Sequence, residues 1–172
     1  MTAWLALFAG QVIAVSRNRL DVHRRLGRWG AWLAVAVVGV GIVTIAVRAR
    51  LMYPEATLAV LGLVFVAFDG LSLLLFGGLV GVAWRFRQRP AVHRRLMAMA
   101  LVALLPPAYG RLVAYFRHEQ IEIIVLGLMT MTVLAFVIVD AARSRRLRPS
   151  SWVPGLLILL VNSATYLAQI ST

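Results

Sequence analysis

The sequence predicts an all-α fold: an integral membrane six-helix bundle built from three antiparallel helical hairpins, all in a single transmembrane domain over residues 1–172. Three observations predict it. Hydrophobic residues fill 62% of the 172 positions, with charged residues at only 14% and a mean hydropathy of +0.87. A soluble domain of this length could not hide so much apolar surface, so lipid must be the solvent for most of it. Six apolar runs also approach the roughly 20 residues that a spanning helix needs. Finally, the pentad VHRRL occurs twice, at Val22–Leu26 and Val92–Leu96, each copy followed by a long apolar run. A motif recurring at matched positions between apolar segments marks a duplicated helical hairpin.

The first helix is expected over about residues 2–16 by the length and periodicity criteria. It is short for a full span and begins at the initiator methionine, without the basic leader and small-residue cleavage site of a signal peptide. Either it thins the bilayer or the true start lies upstream, and the second is favoured. The next helices are expected over about 29–47, 57–84, 96–116, 121–140 and 152–170 on the same criteria. Short connections make sequence neighbours antiparallel. Gly39 and Gly41 in the second helix, and Gly70, Gly77 and Gly81 in the third, offer small-residue faces. Such faces let another backbone come close, so the Gly70, Gly77, Gly81 face is a candidate surface for a protein partner or a second copy. Pro106 and Pro107 should kink the fourth helix. Asn162, Tyr166 and Gln169 share one face of the sixth and are expected to hydrogen-bond across the bundle. Trp4, Trp29, Trp84 and Trp152 fall near span ends, as interfacial anchors do.

The charge is lopsided: 18 basic residues, all arginine, stand against six acids for a formal net charge of +12. In a soluble protein this would suggest nucleic acid; here the arginines cluster between apolar runs, where they read as topology signals and contacts to anionic phospholipid headgroups. The loops after helices one, three and five hold Arg17, Arg19, Arg24, Arg25 and Arg28, then Arg85, Arg87, Arg89, Arg94 and Arg95, then Arg143, Arg145, Arg146 and Arg148. The other side has Arg48, Arg50, Arg111 and Arg117. The positive-inside bias therefore puts the crowded side in the bacterial cytoplasm and both termini outside the cytoplasmic membrane. The third loop reads SRRL at Ser144–Leu147, which extends HRRL into a threefold pattern without its histidine.

Few residues could carry chemistry. The absence of cysteine removes disulfides, thiolate metal sites and cysteine nucleophiles. HExxH, GxSxG, P-loop and dinucleotide motifs are missing, so hydrolase and nucleotide readings have no foothold. Asp69 is the one acid near the middle of an expected span and must find a partner or take up a proton. Arg111 is the best partner for a structural intramembrane pair; the sharper reading makes Asp69 a proton or cation site of a small transporter. His23 and His93, each followed by arginines, could ligate one haem axially, with Arg24 and Arg94 on its propionates. The competing reading, which is favoured, is that these residues anchor helix ends at lipid phosphates, since haem ligands sit deeper in a bundle. His118 reads as a solvated loop residue beside Arg117 and Glu119. The leading function is a non-catalytic accessory or assembly factor, with haem-based electron transfer or haem handling as the alternative.

These pieces together resemble a group of uncharacterised bacterial multipass membrane proteins that pair an H-R-x-L-G loop after the first helix with an H-[KR]-R-L-M loop before the fourth. The matching stretches are His23–Gly27 with Trp29–Ala34, Arg89–Pro90 with His93–Met97, Asp69–Phe76, Arg111, and Asp140 with Arg143–Pro149. The resemblance covers nearly the whole chain and implies a multipass bundle. Two departures remove histidines: the group's His-Gly pair ahead of the first helix is missing, and Arg148-Pro149 stands where the group has His-Pro. The group is also distantly similar to cytochrome b561 and haem-handling membrane families, through histidine-bearing bundles alone, an analogy of architecture that does not give function.

Overall fold

A computed structural model describes residues 2–52, 56–115 and 121–170, with the side chains of residues 2, 52, 56–65, 111, 114, 121, 122, 165 and 168–170 outside that description. Every regular element among the described residues is an α-helix: α1 (Thr2–Ser16), α2 (Leu20–Met52), α3 (Ala56–Arg85), α4 (Pro90–Ala103), α5 (Pro106–Tyr115), α6 (Ile121–Ser144) and α7 (Pro149–Ile170). Three stretches, Leu20–Leu51, Val66–Arg85 and Ile123–Ser144, are long and apolar enough to cross a membrane. The chain divides into two compact units, Met1–Thr44 and Ile45–Thr172.

In the first unit α1 folds back along α2. A Cβ added at Gly30 would lie 3.0 Å from the Leu7 side chain, one at Gly27 would lie 3.6 Å from the Gln11 amide, and one at Gly10 would lie 4.0 Å from Leu26. Ascending positions on one helix meet descending positions on the other, which is antiparallel packing. The turn between them closes on Asn18, whose φ of 56° is left-handed. Asn18 N–H donates to Val15 O at 3.0 Å and Arg19 N–H to Ala14 O at 2.8 Å. These are the paired bonds that end a helix on a left-handed residue, a place asparagine tolerates. α2 starts nine residues before the expected boundary. Arginine and leucine are good helix formers and Asp21 in the first turn favours the helix dipole, so the basic stretch is helical rather than a loop. At 33 residues α2 is roughly 50 Å long, well beyond the ~30 Å of a hydrocarbon core.

The second unit has its core where α3, α4, α6 and α7 meet. Phe76, Met99, Met129 and Ile158, one from each helix, are fully buried. The expected fourth helix is broken rather than kinked. Pro106 and Pro107 lack the N–H groups that Val102 and Ala103 carbonyls would take, so α4 stops at Ala103 and α5 starts at Pro106. Leu105 N–H tightens back onto Val102 O at 3.0 Å and satisfies that carbonyl. The two halves then contact different neighbours: α4 packs on α3, α6 and α7, and α5 on α6. On α5, Tyr109 reaches Thr132 of α6, with 2.8 Å between the hydroxyl oxygens. Thr132 donates its proton to Leu128 O at 2.8 Å, so Tyr109 is the donor between them.

α7 lies close against α6 at Gly155. A Cβ added at Gly155 would lie 2.8 Å from Val133 Cγ1, 3.6 Å from Val137 and 3.7 Å from Met99. Pro154 just before it removes one helical donor, so proline and glycine together let α7 lie against α6. Gly70, Gly78 and Gly81 on α3 make no such approach among the described residues. Gly70 and Gly81 would meet nothing within 4 Å, and α3 instead packs through Ser72, Leu73, Phe76, Leu79 and Ala83. Trp29, Trp84 and Trp152 stand exposed, whereas Trp4 is buried.

Candidate functional site

Both copies of the pentad lie inside helices, at the third to seventh residues of α2 and of α4. The third copy does not share this setting. Ser144 ends α6, its hydroxyl donates to Arg146 O at 2.7 Å, and Arg145 takes a left-handed φ of 52°. The repeat is therefore twofold in structure.

His23 and His93 occupy equivalent offsets yet make opposite bonds. His93 Nδ1 lies 2.8 Å from the Ala83 carbonyl at the end of α3. A carbonyl only accepts, so Nδ1 carries the proton. That is the orientation in which a histidine presents its Nε2 lone pair to a metal. In the first unit the Gln11 amide, oriented to satisfy both its ends, accepts from Gly27 N–H at 2.9 Å and donates to His23 O at 3.3 Å and to His23 Nδ1. There Nδ1 is the acceptor, which puts the neutral ring's proton on Nε2. Arg24 and Arg94 are both exposed. The fit to an axial haem site is thus uneven: the ring orientation suits ligation at His93 and opposes it at His23.

Asp69 has a partner within its own unit, Arg48, with 3.5 Å between Nη1 and Oδ2 and both side chains part-exposed. Sequence reasoning counted Arg48 among the outer-loop arginines; α2 runs on to Met52, which carries Arg48 within the helix. The side chain of Arg111, the expected partner, lies outside the described residues, as do that of Gln169 and the whole of His118. Asn162 turns back on its own helix, donating from Nδ2 to Ile158 O at 2.7 Å rather than across the bundle.

The best-built polar constellation is one that sequence reasoning missed. Arg95, in the second pentad, is 7% exposed. Its Nε donates to both oxygens of Asp140 on α6, at 2.8 and 2.7 Å, and its Nη1 to Ala91 O at 3.2 Å. From the first turn of α7 the Ser151 hydroxyl, 1% exposed, lies 2.9 Å from Asp140 Oδ2 and 2.9 Å from Arg148 O. Three helices are pinned at one end of the bundle by a charge pair whose members are both hydrogen-bonded. A guanidinium engaged this way holds its charge and donors in place; it offers no nucleophile and no vacant base. The signal was present, since Asp140 and Asp21 are the two acids on the arginine-rich side. Only the fold shows which of the arginines Asp140 takes.

No family model, curated protein or solved structure matches the chain. The reading of its function therefore rests on its own residues.

Proposed function

We propose that the chain is a multipass protein of the bacterial cytoplasmic membrane, with six spans in three antiparallel hairpins, α4 and α5 together forming the fourth span. The arginine-rich turns lie in the cytoplasm, both termini lie outside, and the protein acts as a non-catalytic accessory or assembly factor. The observation that carries this is the apolar surface left on the long helices. Val43, Leu74, Met131 and Ile138 are 62%, 71%, 72% and 63% exposed. Burying such a side chain is worth about 1.5–3 kcal/mol in water, so a surface of them left open on long apolar helices favours lipid as the surrounding solvent. The non-catalytic part rests on the sequence, in which no hydrolase or nucleotide-binding motif occurs.

Reporter fusions test the topology. Fusions at Arg87 and Arg146 should report cytoplasm and one at Glu55 the exterior. A periplasmic signal at Arg87 overturns the arrangement. A second reading, haem handling, draws its support from the His93 ring orientation alone. Its test is the absorption spectrum of the purified protein, in which a Soret band lost in His93→Gln would select it.

A further inference from the structure

The turn from α3 to α4 is built differently from the other arginine-rich turns. From Trp84 to Arg89 it alternates rings and guanidiniums, Trp84, Arg85, Phe86, Arg87, then Gln88 and Arg89. Arg87 Cζ lies 5.5 Å from the centroid of the Trp84 ring, and Arg89 Cζ lies 5.6 Å from that of Phe86. Arg87 Nη1 also donates to the Trp84 carbonyl at 3.2 Å. Each guanidinium is thus seated on the ring three residues behind it, while the side chains of Arg85, Arg87 and Arg89 remain exposed.

Stacking holds a guanidinium by its face and leaves most of its in-plane N–H donors for a phosphate or carboxylate. Among the described residues no acid is paired with Arg87 or Arg89. There is no acid between Asp69 and Glu119, and among the described residues the ion pairs are Arg48 with Asp69 and Arg95 with Asp140. The turn follows directly on the apolar stretch Val66–Arg85, so the rings stand at its edge and Arg87 and Arg89 a few residues beyond. That order, hydrocarbon then ring then guanidinium, matches acyl chain, glycerol level and phosphate in a lipid leaflet. A nucleic acid or an acidic protein would match the charge but not the rings beside an apolar span.

We propose that this turn is a headgroup clip for an anionic phospholipid, in which Arg87 and Arg89, seated on Trp84 and Phe86, hold the lipid phosphate. The proposal rests on the membrane reading above and adds a location and a mechanism to it. The α1–α2 turn is its internal control, because Arg17 and Arg19 carry the same charge where no aromatic residue occurs between Phe8 and Trp29.

The test is native mass spectrometry of the full chain in detergent, titrated with phosphatidylglycerol and, separately, phosphatidylcholine. The wild type should bind phosphatidylglycerol in preference. R87Q/R89Q should weaken the first binding event by about tenfold or more, from the loss of charge-assisted hydrogen bonds to the lipid phosphate. W84L/F86L keeps every charge and should still weaken it about five- to thirtyfold, the value of two cation–π contacts. R17Q/R19Q should stay within twofold of wild type. Unchanged binding in W84L/F86L, or equal losses in the two arginine pairs, overturns the clip in favour of general charge attraction. Carbonate extraction of membranes separates the two readings. A chain retained there without preference for phosphatidylglycerol refutes the clip alone, and a chain that is released refutes the membrane reading with it.

Discussion

Removing either member of the Arg95–Asp140 pair should damage the protein far more than removing both. The two side chains are 8% and 12% exposed, and 2.7 Å separates Nε from Oδ2. Arg95→Leu leaves a nearly buried carboxylate with one hydroxyl donor, and Asp140→Leu leaves a nearly buried guanidinium with one backbone acceptor. Stranding a buried charge in this way costs about 3–5 kcal/mol. For a chain of this length the lower figure corresponds to a fall in Tm of about 6–12 °C. The double variant strands nothing. Ser151 keeps Arg148 O as acceptor at 2.9 Å, and Ala91 O lies in the regular first turns of α4. Replacement of a buried pair by apolar side chains of similar size is often neutral, so the double variant should lie within about 1 kcal/mol of wild type. The assay is thermal or denaturant unfolding in detergent, read as a double-mutant cycle. A double variant that loses the sum of the two single losses would refute the reasoning, because it would mean that neither charge depends on the other.

Gly155→Ala should destabilise the α6–α7 contact by about 1–3 kcal/mol, since its Cβ would lie 2.8 Å from a stiff β-branched Val133. Gly81→Ala, with nothing within 4 Å, should be neutral or stabilise by up to about 1 kcal/mol through helix propensity; thermal unfolding of the pair distinguishes them. Tyr109→Phe should lose about 0.5–1.5 kcal/mol, the value of its bond to Thr132, and adding Thr132→Val should cost only what the remaining Thr132 bond to Leu128 O contributes. His93→Gln and His23→Gln should leave abundance nearly unchanged if the pentads anchor helix ends, with membrane yield as the measurement; a pigment lost with either histidine would refute anchoring.

How much of this was legible in the sequence follows physical lines. Apolar runs are long-range averages, so the helical class could be read directly; six spans are expected, three stretches among the described residues are long and apolar enough to cross a membrane, and the ends of α1 and α3 fall within a residue of expectation. Boundaries set by polar residues could not. Hydropathy marks where the apolar part starts, not where hydrogen bonding starts, and so it placed the pentads in loops when they form the first turns of α2 and α4. The sequence shows that Pro106 and Pro107 must disturb the fourth helix, but whether two adjacent missing donors kink it or end it is decided by the packing, and here the helix restarts at Pro106. The glycine stripe on α3 is the more conspicuous pattern, yet an added Cβ meets nothing within 4 Å at Gly70 or Gly81, whereas at Gly155, a single glycine after a proline, it would lie 2.8 Å from Val133. Which side of a helix meets a neighbour is decided by the whole packing arrangement, and no local pattern of small residues specifies it.

The pentads carry that point further. In VHRRL at Val22–Leu26 and at Val92–Leu96 the same five residues take the same helical offset, so local structure is duplicated faithfully. What each side chain does is not. Arg95 is buried on Asp140, whereas Arg25, at the matching position, is exposed. His93 donates from Nδ1 and His23 accepts there. In each case the difference comes from the helix packed alongside: α6 brings a carboxylate, α3 a carbonyl and α1 an amide. A duplicated motif therefore establishes that two helices begin alike, and its function must be argued separately for each copy from the partner that the surrounding helix supplies. For this chain, the second copy has become part of the lock that joins α4, α6 and α7, while the first keeps its guanidiniums exposed on α2. A substitution series run on both copies should accordingly give unequal results at equivalent positions, with Arg95→Gln destabilising and Arg25→Gln close to silent in unfolding measurements. Equal losses at Arg25 and Arg95 would restore the symmetric reading of the repeat.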